Sequence, residues 1–172
     1  YTPIAPNEQV SQVTCNAACD GSVTLAATGG IGTLSFTWTP TPPNVDTNGS
    51  ATGLCPGDWS VTITDGVDCD TTLSFTITEP PAITIAVDTL VNASCNTASD
   101  GAISTTIGGG TPGLDISWSG PNGFSANTDD ISGLVPGDYA VNVQDANGCS
   151  LQQTVTVGAL STVLAEAGSD VT

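Results

Sequence analysis

Gly53-Leu54-Cys55-Pro56-Gly57-Asp58-Trp59-Ser60-Val61-Thr62-Ile63-Thr64-Asp65 returns 80 residues later as Gly133-Leu134-Val135-Pro136-Gly137-Asp138-Tyr139-Ala140-Val141-Asn142-Val143-Gln144-Asp145. In both copies a Pro-Gly-Asp turn hands the chain to an aromatic residue. Period-2 alternation follows, with Trp59, Val61 and Ile63 on one side and Ser60, Thr62 and Thr64 on the other. That alternation marks a half-buried strand. The same offset pairs Cys15 with Cys95, Asp20-Gly21 with Asp100-Gly101, Trp38 with Trp118, and Cys69 with Cys149. So many landmarks at one spacing make this a tandem repeat, and the functional question passes from a single site to an array.

The remaining segments read in the same way. Ser22–Ala26, Leu34–Trp38 and Leu73–Ile77 alternate, as do Ala102–Ser104, Leu114–Trp118 and Thr154–Val157. Thr and Val are frequent in them, as strands favour. Gly29-Gly30, Asn48-Gly49, Gly108-Gly109-Gly110 and Asn147-Gly148 supply turn chemistry between them. No helical stripe of useful length appears. Strands at roughly ten-residue spacing predict an all-β chain of two tandem immunoglobulin-like β-sandwich domains, residues 1–80 and 81–160. Trp38 and Trp118 suit the core between sheets. Trp59 and Tyr139 suit a corner turn at the sheet edge. The N-terminal stretch to Val10, with Pro3 and Pro6, makes a weaker first strand than Ala82–Leu90. Thr78-Glu79-Pro80-Pro81 is a short, stiff linker that predicts a rod-like tandem. The period continues beyond Leu160. Residues 161–172 therefore read as the first strand of a following repeat, or as a strand exchanged with a neighbouring subunit.

The chain has no Lys, Arg or His, and its 17 acids give a formal net charge of -17. Those acids are spread as eight, seven and two over residues 1–80, 81–160 and 161–172. Nucleic acid and anionic membrane surfaces are excluded as partners, because nothing here displaces their counterions. No apolar run approaches the ~20 residues that cross a bilayer, so membrane insertion is not expected. Without His or Lys there is no Ser-His-Asp triad, Cys-His pair or Schiff base, and the chain reads as a non-enzyme that needs no cofactor.

Six cysteines allow fifteen pairings. Cys15 and Cys69 recur as Cys95 and Cys149, so each pair is expected to close within its own unit. Cys19 and Cys55 are replaced together, by Ser99 and Val135, as a bonded pair would be. The expected bridges are Cys15–Cys69, Cys19–Cys55 and Cys95–Cys149. Zinc is disfavoured by the lack of CxxC spacing and of His. Disulfides place the chain in an oxidising, extracellular compartment.

Asp65, Asp68 and Asp70 set three carboxylates in one turn, oxygen chemistry that suits Ca²⁺. Asp129-Asp130 is a weaker second candidate. The competing reading is a solvated turn whose Asp side chains bond local backbone. Asn48-Gly49-Ser50 and Asn92-Ala93-Ser94 are N-glycosylation sequons. Thr71 and Thr89 follow aspartates in the manner of bacterial O-glycosylation sites.

Taken together, Cys15, Asp20–Leu25, Gly29-Gly30, Trp38 and the Gly53–Asp65 stretch, with their second copies, resemble the SprB repeat family of giant surface adhesins in gliding and other Bacteroidota-type bacteria. The likeness spans both copies. It implies a secreted, surface-displayed glycoprotein repeat, exported by the type IX system and serving cell adhesion or gliding. The expected role is a disulfide-stapled spacer in an adhesin or filament, in contact with neighbouring repeats or copies of itself and with surface glycans. Two other functions compete. One is a pilus-like subunit that polymerises by adding its C-terminal strand to the next copy's sheet. The other is a Ca²⁺-dependent or carbohydrate-binding module, for which Trp59 beside Asp58 is the sole hint.

Overall fold

The computed structural model describes residues 2–160. The chain divides into two units, Tyr1–Ala82 and Ile83–Thr172. The first contains β1 (Glu8–Ser11), β2 (Gly21–Leu25), β3 (Ser35–Thr39), β4 (Asn44–Val45), β5 (Ala51–Leu54), β6 (Gly57–Thr64) and β7 (Asp70–Ile77). These strands form two antiparallel sheets, β1-β2-β5-β4 and β3-β6-β7. That is the strand order of an immunoglobulin constant-type sandwich. Alternation is what builds its core. Along β6, Trp59, Val61 and Ile63 are buried while Ser60, Thr62 and Thr64 are half-exposed. They meet Val23, Leu25, Ala51 and Leu54 from the facing sheet. Each such aliphatic side chain removed from water contributes roughly 1.5–3 kcal/mol, against the conformational entropy of ordering it.

The second unit contains β8 (Thr84–Val91), β9 (Gly101–Gly108), β10 (Asp115–Gly120), β11 (Phe124–Ala126), β12 (Ile131–Leu134), β13 (Gly137–Gln144) and β14 (Ser150–Val157). Its sheets are β12-β9-β8 and β11-β10-β13-β14. The first strand is longer than its counterpart, eight residues in β8 against four in β1, in line with the proline content of the N-terminal stretch.

The units differ in the strand after the central tryptophan. In the first, Pro40, Pro42 and Pro43 follow β3, and β4 joins the opposite sheet beside β5. Prolines donate no hydrogen bond, so this segment cannot fold back as a hairpin on β3. In the second, Pro121-Asn122-Gly123 forms a tight 3₁₀ turn with Asn122 and Gly123 at positive φ. It sends β11 back along β10, from Gly120↔Phe124 to Trp118↔Ala126. One consequence reaches the core. The Trp118 indole N–H donates to the Thr128 carbonyl at 3.0 Å, whereas the buried Trp38 Nε1 meets no acceptor among the described residues.

β5 and β12 escape the alternation signal because Gly53 and Gly133 lie inside them at positive φ. The register of each with its neighbour shifts near the glycine, as at a β-bulge. Gly21 and Gly101, at the start of the second strand of each unit, are needed for space. A Cβ on Gly21 would lie 2.8 Å from the Leu54 carbonyl, and one on Gly101 2.8 Å from Val157 Cγ1.

Candidate functional site at the two ends of each repeat

Turns gather at both ends of each sandwich, and there the recurrent polar residues lie. At the end where the chain comes in, Asp65 closes the β6–β7 turn. Its Oδ1 accepts the amides of Val67 (2.9 Å) and Cys69 (3.0 Å), and its Oδ2 accepts the Ile31 amide (2.9 Å) from the β2–β3 loop. Asp145 repeats this with Asn147 and Cys149 on Oδ1 and Thr111 on Oδ2, each at 2.9 Å. Both aspartates are buried. Burial is the strongest single influence on Asp65 and works to raise its carboxyl, but the three amides together outweigh it and hold it below the ordinary carboxylate value. The Thr111 amide is the leading cause of the same lowering at Asp145.

This geometry gives the acidic turn another role than cation binding. Asp65 spends its oxygens on backbone amides and ties two loops together. Asp68 and Asp70 are exposed and do not join it, and no group of three or more metal-ligating side chains occurs among the described residues. The repeat contained the clue, since Asp65 alone of the three has a carboxylate counterpart, Asp145. Asp130 also serves the backbone through its carboxylate, and Asp129 contributes its main-chain carbonyl. Asp130 Oδ1 accepts the Thr105 amide at 3.0 Å, and the Asp129 carbonyl accepts the Thr105 hydroxyl at 2.6 Å.

At the opposite end, Asp20 accepts the Thr14 amide at 3.0 Å and the Thr14 hydroxyl, which is the main reason its carboxyl is held low. Asp100 does the same with Ser94, whose amide lies at 2.8 Å. The corner aromatics lie at this end too. The Trp59 indole donates to the Cys55 carbonyl and the Tyr139 hydroxyl to the Val135 carbonyl, both at 3.0 Å and both four residues back. Both rings are buried, Tyr139 edge-on to Phe124 at 5.2 Å. Trp59 therefore presents no exposed ring face for a sugar.

Cys19 and Cys55 are bonded. The expected Cys15–Cys69 and Cys95–Cys149 bridges are not formed, because Cys69 and Cys95 are free thiols. Strand length explains the correction. Cys69 precedes β7, whereas Cys15 lies beyond its far end, where Val13 bonds Thr78 at 3.4 Å, Ala17 bonds the Glu79 carboxylate at 2.6 Å and Asn16 bonds the Pro80 carbonyl at 3.1 Å. Nine residues of extended chain span about 30 Å, far beyond the roughly 7 Å that a disulfide tolerates between Cα atoms. Cys149 and Cys95 are separated by β14 in the same way, with Ala93 bonded to Gly158 at 2.9 Å at the far end.

Of the candidate glycan acceptors, Asn48, Asn92 and Thr89 are exposed and Thr71 is half-buried. Asn92 already accepts the Gly158 amide through Oδ1 at 2.8 Å. Thr89 follows the bulge in β8, and β8 is a sheet edge. The C-terminal strand invoked for polymerisation, residues 161–172, lies outside the described residues.

Residues 7–42 match the SprB repeat. The matched segment holds β1, β2 and β3, with Cys15, Asp20-Gly21, Gly29-Gly30 and Trp38, some of the residues that carry the sequence resemblance; the Gly53–Asp65 stretch and the second copy lie outside it. The SprB repeat match supports a cell-surface adhesin-type repeat. No curated protein matches the sequence. Among solved structures, the chain is similar to the N-terminal eight immunoglobulin domains of Down syndrome cell adhesion molecule, at 10% identity and a TM-score of 0.46 over 92% of this chain and 25% of that one. It is similar to Sidekick-1 immunoglobulin domains 1–5, at 12% identity and 0.35 over 91% and 39%. It is similar to a C-terminal 282-residue fragment of intimin, solved with the intimin-binding domain of its translocated receptor, at 16% identity and 0.38 over 91% and 64%. The chain thus spans between a quarter and just under two thirds of these structures. Strand order within each unit is what defines its fold.

Proposed function

We propose that this chain is a non-catalytic structural segment of a secreted bacterial surface adhesin or filament, in which the SprB-type units act as spacers and the ligand is bound elsewhere. One observation carries this reading: the aspartates and aromatics that recur at the 80-residue offset are engaged in holding the fold. Asp65 and Asp145 clasp loops, Asp20 and Asp100 clasp the opposite ends, Trp38 and Trp118 fill cores, and Trp59 and Tyr139 close corners. A binding repeat would keep some exposed, convergent group in both copies. The acidic, cation-free composition suits a surface that repels copies of itself and stays solvated. Export by the type IX system and a part in adhesion or gliding follow from the family resemblance and belong to the same proposal.

The test is a swap in the parent polypeptide. The 172 residues are replaced by unrelated immunoglobulin-like domains of equal number, and surface display and adhesion are measured separately. A spacer role predicts unchanged adhesion at equal display. Loss of adhesion at equal display would refute it.

A further inference from the structure

The two units part company after the central tryptophan, and the first is left with an open sheet edge there. In the second unit β11 lies along β10, with Trp118 opposite Ala126 and Ser119 opposite Ser125. In the first, β3 has β6 on one side and, among the described residues, no strand on the other. Outside that ladder Ser35–Thr39 make no backbone–backbone hydrogen bond among the described residues. Alternate amides and carbonyls of β3 therefore stand free along one side. Natural edges are guarded by charge, proline or a bulge. Ser35-Phe36-Thr37-Trp38-Thr39 holds no charge and no proline, its register with β6 is unbroken, and Pro40 guards only its end.

What marks this edge is the indole behind it. Trp38 is 7% exposed, and its Nε1 meets no acceptor among the described residues. The second unit shows what is missing. Trp118 Nε1 donates to the Thr128 carbonyl, two residues past the end of β11. The strand that fills this edge in the second unit thus brings the acceptor with it. A strand laid along β3 in the same sense would supply the matching carbonyl to a buried donor that now goes without.

Strand β11 and the charge of the chain together describe the occupant. It is an extended segment running antiparallel to β3, with small residues opposite Trp38 and Thr39 as Ala126 and Ser125 stand opposite Trp118 and Ser119. A second copy of this chain is opposed by a net charge of -17 on each partner. A segment flanked by Lys or Arg is drawn in by the same field.

We propose that the β3 edge of the first unit is a docking site for an extended, cation-flanked segment of a partner protein, which adds a strand to the β3-β6-β7 sheet and is held by main-chain hydrogen bonds. The inference goes beyond the spacer reading and does not rest on it. That reading comes from what the two copies share, and this one from where they differ.

The test titrates the ¹⁵N-labelled 172-residue chain with a synthetic peptide, Gly-Phe-Ser-Ala-Asn-Thr, the sequence of residues 123–128, carrying lysines at both ends. The three tryptophans give separate indole N–H signals. The Trp38 indole and the amides of Ser35–Thr39 should move together and saturate, while the Trp59 and Trp118 indoles stay in place. A peptide with proline at the places of both Ser125 and Ala126 has lost its ladder donors and should bind at least about tenfold more weakly, as should one flanked by glutamates. Replacing residues 40–48 with the sequence of residues 120–128 fills the edge from within and should abolish binding. A Trp38 signal unmoved at the highest soluble peptide concentration would overturn the proposal. So would shifts confined to another edge such as β7 or β14, or equal binding by either control peptide. A sedimenting dimer of the chain alone, with the Ser35–Thr39 signals perturbed, would give the edge to a second copy and also overturn it. The titration reads strand binding by this chain and the domain swap reads adhesion by the parent polypeptide, so the two readings fail separately.

Discussion

Replacing Cys19 and Cys55 together with alanine isolates the contribution of one covalent loop. Both residues are exposed, so their truncation leaves no cavity, and the Cys55 carbonyl that accepts the Trp59 indole remains in place. What is lost is a cross-link between residues 36 apart, for which loop-closure entropy gives about 4 kcal/mol. A domain of about 80 residues has a total stability of roughly 4–12 kcal/mol, so this is a third of it or more. The melting temperature of the first unit should fall by roughly 15–30 °C. The second unit supplies the control, because Ser99 and Val135 occupy the matching positions. Hydrogen exchange reads both units in one sample, through the β6–β7 amides for the first and the β13–β14 amides for the second. The expected result is a loss of about 4 kcal/mol in β6–β7 protection, with β13–β14 unchanged. A loss below about 1 kcal/mol would refute the loop-closure reasoning, since it would mean that the uncrosslinked chain is already as restricted as the crosslinked one.

Four further outcomes are expected. Tyr139→Phe removes a hydroxyl that satisfies the Val135 carbonyl, and denaturant unfolding should show the second unit weakened by about 1–2 kcal/mol while the first is unaffected. Asp20, Asp65, Asp100 and Asp145 are all held below the ordinary carboxylate value, so they contribute stability above the unfolded value near ~3.9 that is lost as pH falls through their folded values. The melting temperature should be flat near neutral pH and drop in acid, and the Asp65→Asn/Asp145→Asn variant should show a shallower acid limb. Because Asp65 is filled by amides, chelation with EDTA should move the melting temperature by less than about 1 °C, and a larger drop would restore a cation to the turn. If the native protein is glycosylated at its Asp-Thr sites, the mass increment should lie on the peptide holding the exposed Thr89 and not on the half-buried Thr71.

Much of the architecture was legible because it is encoded locally. Period-2 alternation in Trp59–Ile63 and Tyr139–Val143 states which side chains face inward, and Pro-Gly-Asp states where those strands begin. The constant offset states that the scheme is repeated. The short strands β5 and β12 were not legible, because a glycine at positive φ interrupts each. Nor was the sheet exchange of β4 and β11, which turns on whether prolines or a 3₁₀ turn follow the central tryptophan.

The cysteines and acids divide the matter most sharply. By itself the sequence determined that Cys19 and Cys55 belong together, because they are absent together from the second copy. It also held a clue to Asp65, the one carboxylate of its turn that recurs in the second copy, although Asp65, Asp68 and Asp70 read together as a single candidate calcium site. Tertiary structure alone decided that Cys15 cannot meet Cys69, and that the Asp65 carboxylate accepts three backbone amides while Asp68 and Asp70 stay exposed. The reason is geometric. Spacing along a chain records which residues travel together, but an eight-residue strand carries its two ends to opposite poles of the sandwich, and only the folded backbone shows which amide or thiol waits there.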